Sequence, residues 1–184
     1  MKTDYEVLLA LLRSRKTTYD FTDKKVSNSE LNKILESVRW APSTRNTRPW
    51  SFVVVKDKKV IDQLMHTCYY GDFKTFPDII IAIVTEPMKV EVQDLARRGF
   101  RDFVGSHKYI NIGVVIPNII LSAQSLGIGS CIISPVVREA NKVLNVPARK
   151  ETIILVGLGY GSKPHSDKKR YKKPVQELIH KDKY

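Results

Sequence analysis

Three groups of residues in this chain have types and spacing that point to chemistry: Arg15-Lys16-Thr17, the pair Arg45 and Arg48, and the run Lys168-Lys169-Arg170-Tyr171-Lys172-Lys173. Guanidinium, ammonium and hydroxyl donors together suit a phosphate monoester, which offers several acceptor oxygens and close to two negative charges. Taken singly, each group is more often a solvated basic face than a ligand site. The first and last lie at opposite ends of the chain, so only the fold can bring them together. Other chemistries lose their usual support. The sequence holds no GxSxG elbow, no HExxH, no Walker A loop and no Cys or His at metal-ligand spacing, which weighs against hydrolase, zinc and NTPase readings. Cys131 has no His or acid beside it and precedes an apolar stretch, so it reads as a core thiol. His66, His107, His165 and His180 are scattered and read as surface or hydrogen-bonded residues. Gly157-Leu158-Gly159-Tyr160-Gly161 follows a strand, yet Lys163-Pro164-His165-Ser166 cannot start the helix that a dinucleotide loop needs. These glycines are expected to permit a tight exit from the strand.

The elements that must position these residues follow from hydrophobic periodicity. Val7, Leu8, Leu11 and Leu12 recur at helical spacing and predict a first helix from about residue 3 to Arg13–Arg15. Ser27 and Glu30 have capping-box spacing, and Leu31, Ile34, Leu35 and Val38 form the buried face of a second helix that Pro42 ends. Trp50 to Lys56 is β-branched and aromatic, and Asp57 caps a third helix bearing Val60, Ile61, Leu64 and Met65. Asp78 to Thr85 is apolar on both faces, as a central strand covered from either side should be. The charged segment Glu86 to His107, with Phe100 and Phe103, is expected to be either a mobile cover or a solvent-exposed helix. A long central helix is predicted over Lys108 to Leu126, kinked at Pro117 and capped by Gly127. Cys131 to Ser134 should be extended, Pro135 should open a helix closed by Asn145-Val146-Pro147, and Thr152 to Val156 should be the last core strand.

Composition is ordinary for a globular chain: 42% apolar and 27% charged over 184 residues, a length that suits one domain spanning residues 1–184. Strands separated by long helices without regular βαβ spacing give an α+β layered fold, its sheet wrapped by helices. The net charge of +12 favours anionic partners: phosphates, nucleic acid, anionic lipid or a nucleotide cofactor. Lys163 to Tyr184 concentrates that excess, with eight Lys or Arg against three acids. Cys68 and Cys131 form no disulfide framework, which fits reduced thiols in a cytoplasm. The segment MKTDYEVLLALLRSRK is not expected to be a signal peptide, and no apolar run approaches the roughly 20 residues of a membrane span.

Four stretches in order resemble the nitroreductase family of FMN-dependent oxidoreductases: Ser14-Arg15-Lys16-Thr17-Thr18-Tyr19-Asp20-Phe21, Ala41-Pro42-Ser43-Thr44-Arg45-Asn46-Thr47-Arg48-Pro49-Trp50, Leu126-Gly127-Ile128-Gly129-Ser130 and Gly157-Leu158-Gly159-Tyr160-Gly161. The resemblance covers residues 5–175. It implies an α+β sandwich with a mainly antiparallel central sheet, an intertwined homodimer with an exchanged C-terminal segment, and FMN in two clefts between the subunits. Arg15, Lys16 and Thr17, joined by Arg170 and Lys172, would then hold the phosphate and ribityl chain. Pro42, Ser43, Thr44 and Asn46 would reach the flavin from the partner subunit, while Ile132, Ile133 and Ser134 offer backbone groups along the isoalloxazine. Tyr19 stands where the family usually has Arg or Lys, near the pyrimidine edge, and Arg48 where it usually has Gln. No metal is implied. The implied activity is transfer of electrons from NADH or NADPH, through flavin N5, to a small acceptor such as a nitroaromatic, quinone or enone, by ping-pong turnover. A flavin carries its own redox chemistry, so a missing catalytic triad is expected. The rival readings are a flavin-binding protein without turnover and a basic nucleic-acid-binding module, the latter without a recognition motif and with steep salt dependence.

Overall fold

The computed structural model describes residues 2–69, 73–87, 97, 99, 101–162 and 171–184. Thr3 caps helix α1 (Asp4–Ser14): the Glu6 N–H reaches Thr3 Oγ1 at 3.3 Å and the Thr3 N–H reaches Glu6 Oε2 at 2.8 Å. Ser27 and Glu30 repeat this reciprocal cap at α2 (Asn28–Ser37), whose Leu31 and Ile34 are buried. The chain then tightens into a 3₁₀ turn at Val38–Trp40. After strand β1 (Trp50–Val55), Asp57 accepts the Lys59 and Val60 N–H groups and starts α3 (Lys58–Met65). Strand β2 (Ile79–Thr85) is buried at every residue, as its unbroken apolar run predicts.

The long helix α4 runs Arg101–Ser125, well upstream of the predicted start at Lys108, and passes through Pro117 as one element. The added turns, Arg101 to His107, hold one adjacent apolar pair, Phe103-Val104, and a glycine, Gly105, so they repeat no apolar stripe and periodicity alone misses them. Phe100 and residues 88–96 of the expected cover lie outside the described residues. Gly127, at φ 72°, ends the helix; the Gly127 N–H reaches Gln124 O at 3.1 Å and the Ile128 N–H reaches Ala123 O at 2.9 Å. Strand β3 (Gly129–Ile133) follows, then α5 (Val137–Val143) and β4 (Thr152–Gly159). Pro135 precedes α5 rather than opening its first turn, and bridges Cys68 instead.

Among the described residues the strands form one antiparallel sheet in the order β1-β2-β4-β3. Side-chain alternation along β2 divides the core. Ile79, Ile81 and Ile83 pack with α2 and α4, whereas Ile80 and Ala82 pack with α3 and α5. Helices therefore cover both faces, as the α+β reading expects. Strand β4 is longer than predicted and includes Gly157 and Gly159, which serve close packing inside the strand rather than an exit from it. A β-carbon on Gly157 would lie 2.9 Å from Pro77 Cγ, and one on Gly159 2.8 Å from Phe21 Cδ1. No helix among the described residues is long and apolar enough to cross a membrane.

Just past β4 the Tyr160 hydroxyl donates to Glu30 Oε1 at 2.5 Å, and Lys24 Nζ stands 3.7 Å from the Tyr160 ring centroid. The bond from Tyr160, joined by those from Ser27, lowers the Glu30 carboxyl from 4.5 to about 2. A depressed carboxyl adds stability that is complete above its unfolded pKa and lost as pH falls through the folded one. Glu30→Gln should therefore flatten the acid limb of a Tm-versus-pH curve between about pH 4.5 and 2; a limb identical to the parent's would show that this contact does not govern acid stability.

Candidate cofactor site

The segment after α1 runs along the outer edge of β3. Arg15 is already extended, at φ −62° and ψ 123°, while its N–H still reaches Leu11 O. Thr17 then bridges Ser130 in parallel, and the Thr18 N–H donates to Ser130 O at 3.0 Å. This approach depends on Gly129, because a β-carbon there would stand 2.4 Å from Thr18 Oγ1. Further on, Phe21 bridges Gly161, and the Thr22 N–H reaches Tyr160 O at 2.7 Å. Three of the four stretches singled out in the sequence thus meet at one sheet edge, with Arg15, Lys16 and Thr17 half-buried there. Tyr19 is 38% exposed, its ring edge-on to Phe73 at 5.4 Å.

Strand β3 gives its expected residues different roles. Ile132 is 46% exposed and Ser134 is exposed, but the Ile133 side chain is only 3% exposed and packs in the core, while the ladder turns its backbone toward Leu155 of β4. Ser130 turns its carbonyl outward to Thr18, and the two-residue repeat of the ladder turns the Ile132 backbone to that same edge. Lys172 is exposed on the C-terminal stretch, whereas Arg170 lies outside the described residues. The thiol of Cys131 is buried in β3 and pushed up to about 12, chiefly by burial, which suits the core role read for it. Burial likewise lowers the pKa of His107, a residue of α4 that is 2% exposed.

The Pro42–Pro49 loop is the second part. Thr44–Asn46 makes one 3₁₀ turn, and Arg45, Asn46 and Arg48 adopt left-handed backbone at φ 49°, 54° and 45°. Asn tolerates this region, while Arg seldom enters it, so the sequence carries no signal for two such arginines. The Arg48 N–H donates to Ser43 Oγ at 2.9 Å, and Arg48 Nε donates to Asn46 Oδ1 at 3.1 Å. The guanidinium of Arg48 therefore serves the loop's own Asn46. Thr44 is tied to α4 instead: its N–H donates to Asn111 Oδ1 at 2.9 Å. Sequence reading passed over Asn111, although a carboxamide beside Ile112 in an apolar helix was a readable signal.

These two parts occupy diagonal corners. Ser130 and Ile79 both face Leu158, so Thr17 lies beyond β3 at the end of the sheet where β2 begins. Trp50 faces Thr85, so the loop lies beyond β1 where β2 finishes. With strands about 4.8 Å apart and about 3.4 Å per residue, the corners are roughly 25 Å apart. A cleft of about 280 Å³ beside residues 21–25 and α3 belongs to neither corner, and Lys25 and Asp78 on its wall already pair at 2.5 Å.

The nitroreductase family model matches residues 12–98 and 67–160. A protein of Archaeoglobus fulgidus, provisionally named NADH dehydrogenase/NAD(P)H nitroreductase, is 25% identical over 187 residues, covering 97% of this chain and 99% of the relative. The crystal structure of a nitroreductase family protein from Streptococcus pneumoniae is 28% identical, with a TM-score of 0.79 over 95% of this chain and 99% of that one. An FMN-dependent nitroreductase from Clostridium difficile shares the fold at 23% identity, with a TM-score of 0.75 over 96% and 99% of the two chains. The edge segment, the loop before β1 and the antiparallel sheet that carries them make this chain a member of the nitroreductase family.

Proposed function

We propose that two copies of this chain assemble into an FMN-dependent oxidoreductase that draws electrons from NADH or NADPH and reduces a small acceptor, such as a nitroaromatic, quinone or enone. The observation that carries this reading is the diagonal separation of the two corners: a span of roughly 25 Å within one chain cannot close around one flavin, so a second copy must bring its loop to the β3 edge. Apolar surface supports the pairing. Tyr5, Val7, Leu8 and Leu12 of α1 and Tyr109 and Ile110 of α4 are exposed, as are Val175, Leu178 and Ile179 in the C-terminal stretch assigned to exchange between copies. Residues 1–184 are taken as one FMN-binding domain.

The donor set fits the group. Arg15, Lys16 and Thr17 would receive the phosphate and ribityl chain, with Arg170 and Lys172 closing on the same oxygens. Pro42, Ser43, Thr44 and Asn46 of the second copy would lie against the ring, and the Ile132 and Ser134 backbone would run along its reactive edge. When bound, FMN supplies hydride acceptance and donation, so the protein needs only to orient the ring, tune its charge and admit small molecules to one face. Tyr19 would set a phenol, in place of the family's usual cation, beside the pyrimidine edge. Arg45 and Arg48 are the cations that the second copy's loop would bring there, where oriented positive charge stabilises developing negative charge. The relatives' names for NAD(P)H and FMN chemistry support donor and cofactor together.

The purified protein should be yellow, carry about one FMN per chain and bleach anaerobically with NADH or NADPH, read by flavin absorbance. A colourless protein that takes up no FMN would overturn the proposal. Colour that neither nucleotide bleaches would support a flavin-binding protein without nicotinamide turnover.

A further inference from the structure

We propose that Asn111, inside the long helix α4, is the positioning residue that sets the Pro42–Pro49 loop and thereby the FMN affinity of the assembled site. The inference rests on the FMN reading above and adds to it a residue that touches no cofactor.

Asn111 is 1% exposed, and its carboxamide is committed on both sides. Oδ1 accepts the Thr44 N–H at 2.9 Å, Nδ2 donates to His107 O at 2.7 Å, and Nδ2 lies 3.4 Å from Thr44 Oγ1. Reversing the amide would set a donor against the Thr44 N–H and an acceptor against the His107 carbonyl, so the orientation follows from the network. A buried amide keeps such bonds because water cannot replace them.

The loop needs an external anchor. Its own bonds are short-range, such as Thr47 Oγ1 to Thr44 O at 2.8 Å and the Arg48 N–H to Ser43 Oγ at 2.9 Å. Arg45, Asn46 and Arg48 hold left-handed conformations that non-glycine residues rarely adopt, and these persist only where the surroundings impose them. The bond from Thr44 joins residues 67 apart in sequence and fixes the first residue of the turn to a rigid helix. Without it, Ser43, Thr44 and Asn46 lose their placement toward the second copy.

Helix α4 also supplies a control. Asn118, two turns further on, donates from Nδ2 to Ser37 O at 2.7 Å, and Ser37 Oγ donates to Asn118 O at 3.1 Å. Here too a carboxamide of α4 is tied to the backbone of another segment, donating rather than accepting, but it secures the end of α2 rather than the loop.

The test measures FMN dissociation constants by fluorescence titration of the apoprotein, beside its Tm, for Asn111→Leu, Asn118→Leu and Asn111→Asp. Both Leu variants should lower apoprotein Tm, while only Asn111→Leu weakens FMN, by roughly tenfold. Asn111→Asp keeps an acceptor facing the Thr44 N–H but sets its second oxygen against the His107 carbonyl, so it should lower Tm while binding FMN within about threefold of the parent. If Asn111→Leu yields no folded protein, Asn111→Ser, too short to reach Thr44, gives the same reading. Equal FMN affinities for the Asn111→Leu and Asn118→Leu variants would overturn the positioning role alone. A parent protein that takes up no FMN would overturn the cofactor reading and this inference with it.

Discussion

The double variant Arg15→Ala, Arg170→Ala should bind FMN at least about 100-fold more weakly than the parent and stay folded, because each guanidinium–phosphate contact contributes about 1.5–3 kcal/mol. Two contacts together are worth about 3–6 kcal/mol, and each 1.4 kcal/mol is a factor of ten in affinity. The fold has little stake in the Arg15 side chain. The structural role of Arg15 is its backbone N–H bond to Leu11 O, which Ala retains. Arg170, which lies outside the described residues, enters the prediction through the basic run of the sequence. Fluorescence titration gives the affinity, and circular dichroism with size-exclusion chromatography reports whether the assembly survives. Undiminished FMN affinity in a folded double variant would sink the phosphate assignment while leaving the family membership intact.

Gly129→Val should damage stability and cofactor binding together. Its β-carbon would stand 2.4 Å from Thr18 Oγ1, 3.0 Å from Thr18 Cβ and 3.1 Å from Gly159 O. Gly159 belongs to a sheet strand, so the peripheral segment from Arg15 to Thr18 must give way. Overpacking of this kind costs about 1–3 kcal/mol, which lowers Tm by roughly 2–4 °C per kcal/mol in a domain of this size. The displaced segment carries Arg15, Lys16 and Thr17, so FMN affinity should fall in the same variant. Unchanged Tm and unchanged FMN affinity would show that the edge contact is slack.

What could be read from the sequence was what depends on near neighbours. The Ser27–Glu30 cap, the Asp57 cap and the Gly127 terminus are fixed by residues within one turn, and each appears where expected. The unbroken apolar run of β2 gave its central place away for a similar reason: both its faces are buried. Sheet order was not readable, because β2 pairs with β4 across the long helix and no local rule selects that partner. Gly157 and Gly159 were misjudged because their reason lies in Pro77 and Phe21, residues remote in sequence. The site divides in the same way. Its chemistry showed in residue types, with Arg15, Lys16 and Thr17 as anion donors, whereas their docking on Ser130 and the remoteness of the Pro42–Pro49 loop came only with the sheet. The core-facing Ile133 side chain likewise became apparent only from the pairing of β3 with β4.

The diagonal arrangement of the two corners has a genetic consequence in the proposed two-copy assembly. One gene writes both corners, and each corner serves a different cleft, so a harmful change at either place disables both clefts of every molecule. Two defective alleles behave otherwise when expressed together, one altered at the β3 edge and the other in the Pro42–Pro49 loop. In a mixed pair, one cleft inherits both defects and the other inherits neither, so two inactive parents produce some active offspring molecules.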